Sequence, residues 1–111
     1  MLRKKIKSRD AVVLNVLSEA EFSKSHIKGS YNIPLTQNRD LFAKEVETRF
    51  GRDKLFITYS ENTICAAGPN AAHALKVRGF FSETYLGGVQ EWAEAGLPLE
   101  GLQAGQLAAV R

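Results

Sequence analysis

The sequence has little of what staples, anchors or divides a chain. Cys65 is the single cysteine among 111 residues, which excludes an internal disulfide and fits a reducing compartment. No apolar run approaches the roughly 20 residues of a membrane-spanning helix. The basic start, with Arg3, Lys4, Lys5 and Lys7, is not followed by the apolar stretch of a signal peptide. These absences predict a cytoplasmic protein without a membrane partner. Repeats, low-complexity tracts and linker-like stretches are missing too, and the 3 prolines and 9 glycines are dispersed. Lysine and arginine are absent between Lys54 and Lys76, although the net charge is +3. Much of the basic excess sits in the first segment, with no basic stripe interleaved with aromatics, so nucleic acid is not an expected partner. No metal-ligand spacing or cofactor motif stands out, and neither a metal nor a cofactor is expected.

What remains is an ordinary globular composition, 44% apolar and 24% charged, in a length suited to one domain. Ala11–Val16 is a nearly continuous apolar run, the pattern of a strand buried on both faces of a parallel sheet. Ser18 caps a short helix whose first turn carries Glu19 and Glu21. Tyr31–Ile33 reads as a second strand, stopped by Pro34. Asn38 caps a helix over Arg39–Phe50, in which Phe42, Val46 and Phe50 recur every four residues, Leu41 widens the stripe, and Gly51 ends it. Leu55–Tyr59 is a third strand. A helix then begins near Pro69 and runs to Arg78, with Ala71, Ala72 and Leu75 on its sheet-facing side. Glu83–Leu86 reads as a fourth strand, and Gly87 and Gly88 lead into a short helix bearing Val89 and Trp92. Met1–Arg9 looks helical, and the residues after Leu99 look like a tail or terminal helix.

Strands and helices alternate throughout, which indicates an α/β domain with a central, largely parallel sheet flanked by helices on both faces. Ligands of such sheets bind beyond the carboxyl ends of the strands. The strand Leu55–Tyr59 runs directly into the loop from Ser60 to Gly68, which is the candidate site.

Five segments now stand in order: VVLNV, EAEFSKSHIKGSYNIPL, LFITYSENTIC, AAHALKVRGF and YLGGVQEWAEAGLPLE. In this order and spacing the chain resembles a rhodanese-like domain, with a core of about residues 11–100 and a tail over 101–111 within one domain of residues 1–111. Gly87-Gly88, Trp92 and Gly96-Leu97-Pro98 carry the resemblance furthest, followed by Glu21-Phe22, His26-Ile27, Gly29-Ser30 and Ile33-Pro34. The resemblance implies sulfur transfer: a cysteine takes sulfane sulfur from a donor such as thiosulfate, forms a persulfide and passes the sulfur to a thiophilic acceptor. Main-chain amides and a helix N-terminus hold the anionic sulfur. The partner it implies is a small sulfur-containing anion or a protein thiol or persulfide. His26 takes a structural hydrogen-bonding role, and His73 falls mid-helix on the solvent side.

The loop departs from that pattern. Counted back from Gly79, the nucleophile position is Ser60, followed by Glu61, Asn62, Thr63 and Ile64 and then by the second thiol, Cys65. Ala66, Ala67 and Gly68 complete the anion-binding loop. A serine hydroxyl cannot become a persulfide, and nucleophilic serine needs a neighbouring base that neither histidine supplies. Starting the loop at Cys65 instead places Gly79 only 14 positions later, about 3 short of the family spacing, or nearly one helical turn. Three readings stay open: an engineered replacement of a catalytic cysteine by Ser60, a natural non-catalytic member using the loop as a binding or regulatory module, or Cys65 as nucleophile. Glu61 is the loop's one charged residue and disfavours a dianion such as thiosulfate. Asn15 and Leu17 stand where the family carries an Asp and an Arg, so that ion pair cannot form. Phosphatase chemistry on the same fold would need an arginine where Ala66 or Ala71 stands.

Overall fold

The computed structural model describes residues 11–102; the N-terminal segment and the last nine residues, about which a helix and a tail were expected, lie outside them. Four strands pair in parallel in the order β3-β1-β4-β5: β1 is Ala11–Asn15, β3 Tyr31–Asn32, β4 Leu55–Tyr59 and β5 Phe81–Thr84. Among the described residues there are four helices, α1 (Glu19–Lys24), α2 (Arg39–Phe50), α3 (Ala67–Lys76) and α4 (Gly88–Glu94). No described helix is long and apolar enough to cross a membrane.

Alternation along β1 and β4 divides the core in two. Val12, Leu14 and Phe56 face α2 and α3, packing with Phe42, Val46, Ala71, Ala74 and Leu75. Val13, Ile57 and Tyr59 face the other way, onto Val89 and Trp92 of α4 and Ile27. Each central strand is thus buried on both sides, which is why its sequence reads as an apolar run rather than an alternation.

Several boundaries differ from the sequence reading. α3 begins at Ala67, not near Pro69, and ends at Lys76; Pro69 falls within the first turn, where its missing N–H has no intrahelical acceptor to lose. The fourth strand is Phe81–Thr84 rather than Glu83–Leu86. It is the sheet edge, with Phe81 67% exposed, so its polarity reports one buried neighbour, not two. Leu41 is 61% exposed and does not extend the core-facing stripe of α2. The chain after Pro98 contributes an element that periodicity did not show: β6 (Leu99–Glu100) pairs antiparallel with β2 (His26–Ile27).

β1 passes the chain to β3 on one side of the sheet, and β4 passes it to β5 on the other. The loops after β1 and β4 therefore diverge, which makes their carboxyl ends the switch point where such sheets form clefts. A buried polar network fixes this point. The Tyr59 hydroxyl accepts from Asn15 Nδ2 and from the Ile27 N–H, each at 3.1 Å, and lies 2.6 Å from Ser30 Oγ. Ser30 Oγ donates to the Ile27 carbonyl at 2.6 Å, so the Tyr59 proton goes to Ser30 and every polar atom is satisfied. Burial pushes the Tyr59 hydroxyl above its ordinary value, and its hydrogen bonds with Ser30, Asn15 and Ile27 offset this only in part.

Tyr59→Phe leaves Asn15 Nδ2 and the Ile27 N–H buried without that acceptor. It is expected to lower the unfolding free energy by about 2–4 kcal/mol, measured by urea denaturation. Because the folded-state value is raised, this group's stabilisation is complete below about pH 10 and is lost as pH rises beyond it. The Phe variant lacks that alkaline component.

Candidate functional site

Ser60 follows Tyr59 at the end of β4 and is only 3% exposed. Its hydroxyl accepts from the Gly68 N–H at 3.2 Å, and the Cys65 carbonyl lies within its donating reach at 3.3 Å. Gly68 is where α3 comes closest to the strand ends: an added Cβ would stand 3.0 Å from Thr84 Oγ1 and 3.2 Å from Ser60 Oγ. Two threonines hold this approach. Thr58 Oγ1 donates to the Gly68 carbonyl at 2.7 Å, and Thr84 Oγ1 donates to the Thr58 carbonyl at 3.0 Å.

Asn62 shapes the turn that follows. Its Oδ1 accepts from the N–H groups of Ile64 at 3.0 Å and Cys65 at 3.2 Å, an Asx-type arrangement. Those two amides are thereby committed to the turn and not to Ser60. Thr63 is exposed, and Ile64, 90% exposed, forms the tip.

Cys65 is half-buried. Burial pushes the thiol up, but the Ser60 hydroxyl and the N–H groups of Ala67 and Glu61 outweigh it, and its pKa lies below the ordinary cysteine value in spite of the Glu61 charge. The groups that lower it, the hydroxyl at position 60 and the amides of Ala67 and Glu61, all belong to the loop. Ala66 is exposed and precedes α3 without a side-chain cap. Together with the start of α3, this gives partial positive charge where a thiolate or persulfide would sit.

A contribution not singled out in the sequence comes from α4. The Val89 N–H donates to the Ser60 carbonyl at 3.1 Å and the Gln90 N–H to the Glu61 carbonyl at 2.8 Å, so the first turn of α4 holds the loop's entry. This close approach requires glycine at position 88: φ is +63°, and a Cβ would lie 2.4 Å from the Ser60 carbonyl oxygen. The Gly-Gly pair was the available signal. Trp92, further along α4, donates from Nε1 to the Pro98 carbonyl at 2.7 Å and anchors the chain that becomes β6.

The first-strand departures are accommodated. Asn15 is fully buried; its Oδ1 accepts from the Leu17 N–H at 3.0 Å while its Nδ2 serves Tyr59. His26 stacks on Phe22 with ring centroids 3.7 Å apart and donates from Nδ1 to the Phe22 carbonyl at 2.8 Å. It is remote from the loop's hydrogen bonds, and His73 is exposed on α3. Among the described residues no three His, Cys, Asp or Glu side chains gather to hold a metal ion.

The rhodanese-like domain family matches residues 1–95. The chain belongs to this family. Solved rhodanese-like structures agree with the fold: the solution structure of the rhodanese-like domain of the Alr3790 protein from Anabaena superposes with a TM-score of 0.70 at 20% identity, covering 91% of this chain and 73% of that one. The BH2092 protein from Bacillus halodurans gives 0.78 at 22% identity over 92% of this chain and 73% of that one. A protein from Lactobacillus plantarum gives 0.64 at 29% identity, over 82% and 73%. Among curated proteins, the HTH-type transcriptional regulator Rv0324 of Mycobacterium tuberculosis is 26% identical over 91 residues, 82% of this chain. This rhodanese-like domain spans 38% of that regulator's length.

Alkylation of Cys65 by iodoacetamide, followed against pH, is expected to show a midpoint below that of an unstructured cysteine peptide. Ser60→Ala moves the midpoint up by removing a donor to the thiolate, and Glu61→Gln moves it down by removing a like charge. Gly88→Ala displaces the loop entry from α4, and its midpoint moves toward the peptide's.

Proposed function

We propose that this rhodanese-like domain carries sulfane sulfur on Cys65, with Ser60 serving as a hydrogen-bond donor at the position where the family resemblance puts the nucleophile. The observation that carries this reading is the setting of the thiol: the single sulfhydryl of the chain lies half-buried in the loop, where the Ser60 hydroxyl and two loop amides hold its pKa below the ordinary cysteine value. A thiolate so held attacks the outer sulfur of a donor persulfide or polysulfide, and the bond to the donor's inner sulfur breaks with its electron pair leaving on the donor. The resulting Cys65 persulfide is anionic at its outer sulfur, and the same amides suit it. Ser60 keeps its proton throughout, in accord with the absence of a base beside it.

Glu61 argues about the donor. It is exposed and close enough to oppose ionisation of Cys65, so a dianion meets repulsion that a neutral or singly charged persulfide does not. Thiosulfate is therefore a poor donor on this reading, in contrast to the donor the family resemblance suggests.

A second reading has one observation in its favour: the match to part of an HTH-type transcriptional regulator. In it the loop holds a ligand or partner for regulation without passing sulfur on.

Intact mass after incubation with inorganic polysulfide tests the first reading. The chain is expected to gain sulfur, Ser60→Ala to gain it more slowly, and Cys65→Ala to gain none. Thiosulfate at equal concentration loads at least tenfold less. No added sulfur with any donor removes the carrier reading and leaves the binding module.

A further inference from the structure

We propose that the partner exchanging sulfur with Cys65 is a cysteine in a cationic protein segment, received by two grooves that meet beside the loop. This rests on the reading of Cys65 as a sulfur carrier and specifies its partner.

The first groove, of about 300 Å³, opens at the switch point of the sheet between Leu17, which follows β1, and Glu61, which follows β4, with Val89 and Gln90 of α4 on its wall. The second, of about 200 Å³, is lined by Asn62–Ile64 on one side and by Gly87, Glu91 and Glu94 on the other. Gln90 lines both, so the two depressions meet across its side chain. Cys65 lines neither groove itself; the second ends at Ile64, the residue before it. Their lip is apolar: Ile64 projects from the loop tip, and Leu86, just before Gly87, is 56% exposed.

The charge of this surface opposes that of the chain. Glu21 and Glu61 border the first groove and Glu91 and Glu94 the second, while Lys24 is the only cation among the described residues that lines either one. Lys24 Nζ already lies 3.5 Å from Glu21 Oε1. The whole chain, by contrast, carries +3. Clefts lined by one sign of charge raise encounter rates with the opposite sign by ten-fold or more and depress those of like-charged molecules. Lysine or arginine on either side of a partner cysteine would meet Glu61 on one side and Glu91 and Glu94 on the other, while apolar neighbours cover Ile64 and Leu86. Two grooves that share Gln90, the second ending at Ile64 next to the thiol's own residue, suit an extended segment, which a small aminothiol cannot span.

The transfer balances without an outside oxidant. The partner thiolate attacks the outer sulfur of the Cys65 persulfide, forming a new S–S bond. The bond between that sulfur and Cys65 Sγ breaks, and its electron pair returns to Cys65 as the thiolate that Ser60, Glu61 and Ala67 hold. The partner leaves as a persulfide.

The test loads the protein with inorganic polysulfide, removes the excess, and measures sulfur transfer by mass to three peptides. These place one cysteine between lysines, between serines or between glutamates, with cysteamine as a small cationic thiol. At low salt the lysine peptide is expected to react about tenfold faster than the serine peptide and faster than cysteamine, and the glutamate peptide slowest. The preference shrinks at high salt. The double variant Glu91→Gln, Glu94→Gln is expected to lose most of the preference, its rates with the three peptides drawing together. Equal rates for the three peptides overturn the cationic partner while leaving the carrier reading intact. A cysteamine rate matching the lysine peptide overturns the extended segment. Failure to load Cys65 at all removes the carrier reading and this proposal with it.

Discussion

The phenolic oxygen of Tyr59 holds together three pieces of chain that are distant in sequence: the end of β1 through Asn15, the turn after β2 through Ile27 and Ser30, and the end of β4 through its own backbone. A buried hydroxyl with all its hydrogen bonds made is costly to disturb, because each partner would be left unpaired away from water. The next residue is Ser60, so the site loop departs from the most constrained point in the sheet. Asn15 in place of an acidic residue suits this network. An amide donates to Tyr59 and accepts from Leu17, and it leaves no charge to be compensated in the interior.

From that fixed origin the loop is shaped by side chains as much as by the helix behind it. Asn62 takes up the amides of Ile64 and Cys65, which folds the chain back so that Cys65 returns toward Ser60. α4 clamps the carbonyls of Ser60 and Glu61 from the other side. With those carbonyls turned outward to α4, the neighbouring amide of Glu61 is left for the sulfur. Glycine at position 88 is the geometric condition for this clamp, and Gly68 is the condition for the approach of α3. Both glycine-dependent contacts fall on Ser60.

Much of this architecture is legible in the sequence. The both-sided burial of β1 and β4 follows from their unbroken apolar runs, and the caps Ser18 and Asn38 accept from Glu21 and Leu41 as their side chains allow. The loop is marked by its place after β4. The edge strand was displaced by two residues because an edge is buried by one neighbour only, and Tyr85 and Leu86 beyond it are apolar for reasons unconnected with pairing. Leu41 was misjudged because helical spacing gives a face, not its width. The pairing of β2 with β6, next to the Trp92–Pro98 hydrogen bond, is a long-range fact with no periodic trace. Within the site, spacing pointed to position 60, which is buried at the end of β4. Which side chain the amides serve was not legible, since that depends on the turn Asn62 makes and on the hold of α4.

The central claim is that the Cys65 thiolate is stabilised by the main-chain N–H groups of Glu61 and Ala67. Amide proton NMR against pH tests it most directly. The resonances of Glu61 and Ala67 are predicted to move downfield together, with one midpoint below the ordinary cysteine value, and to stay still in Cys65→Ser. Amide protons at 61 and 67 that do not respond as the Cys65 carbons titrate would contradict the account.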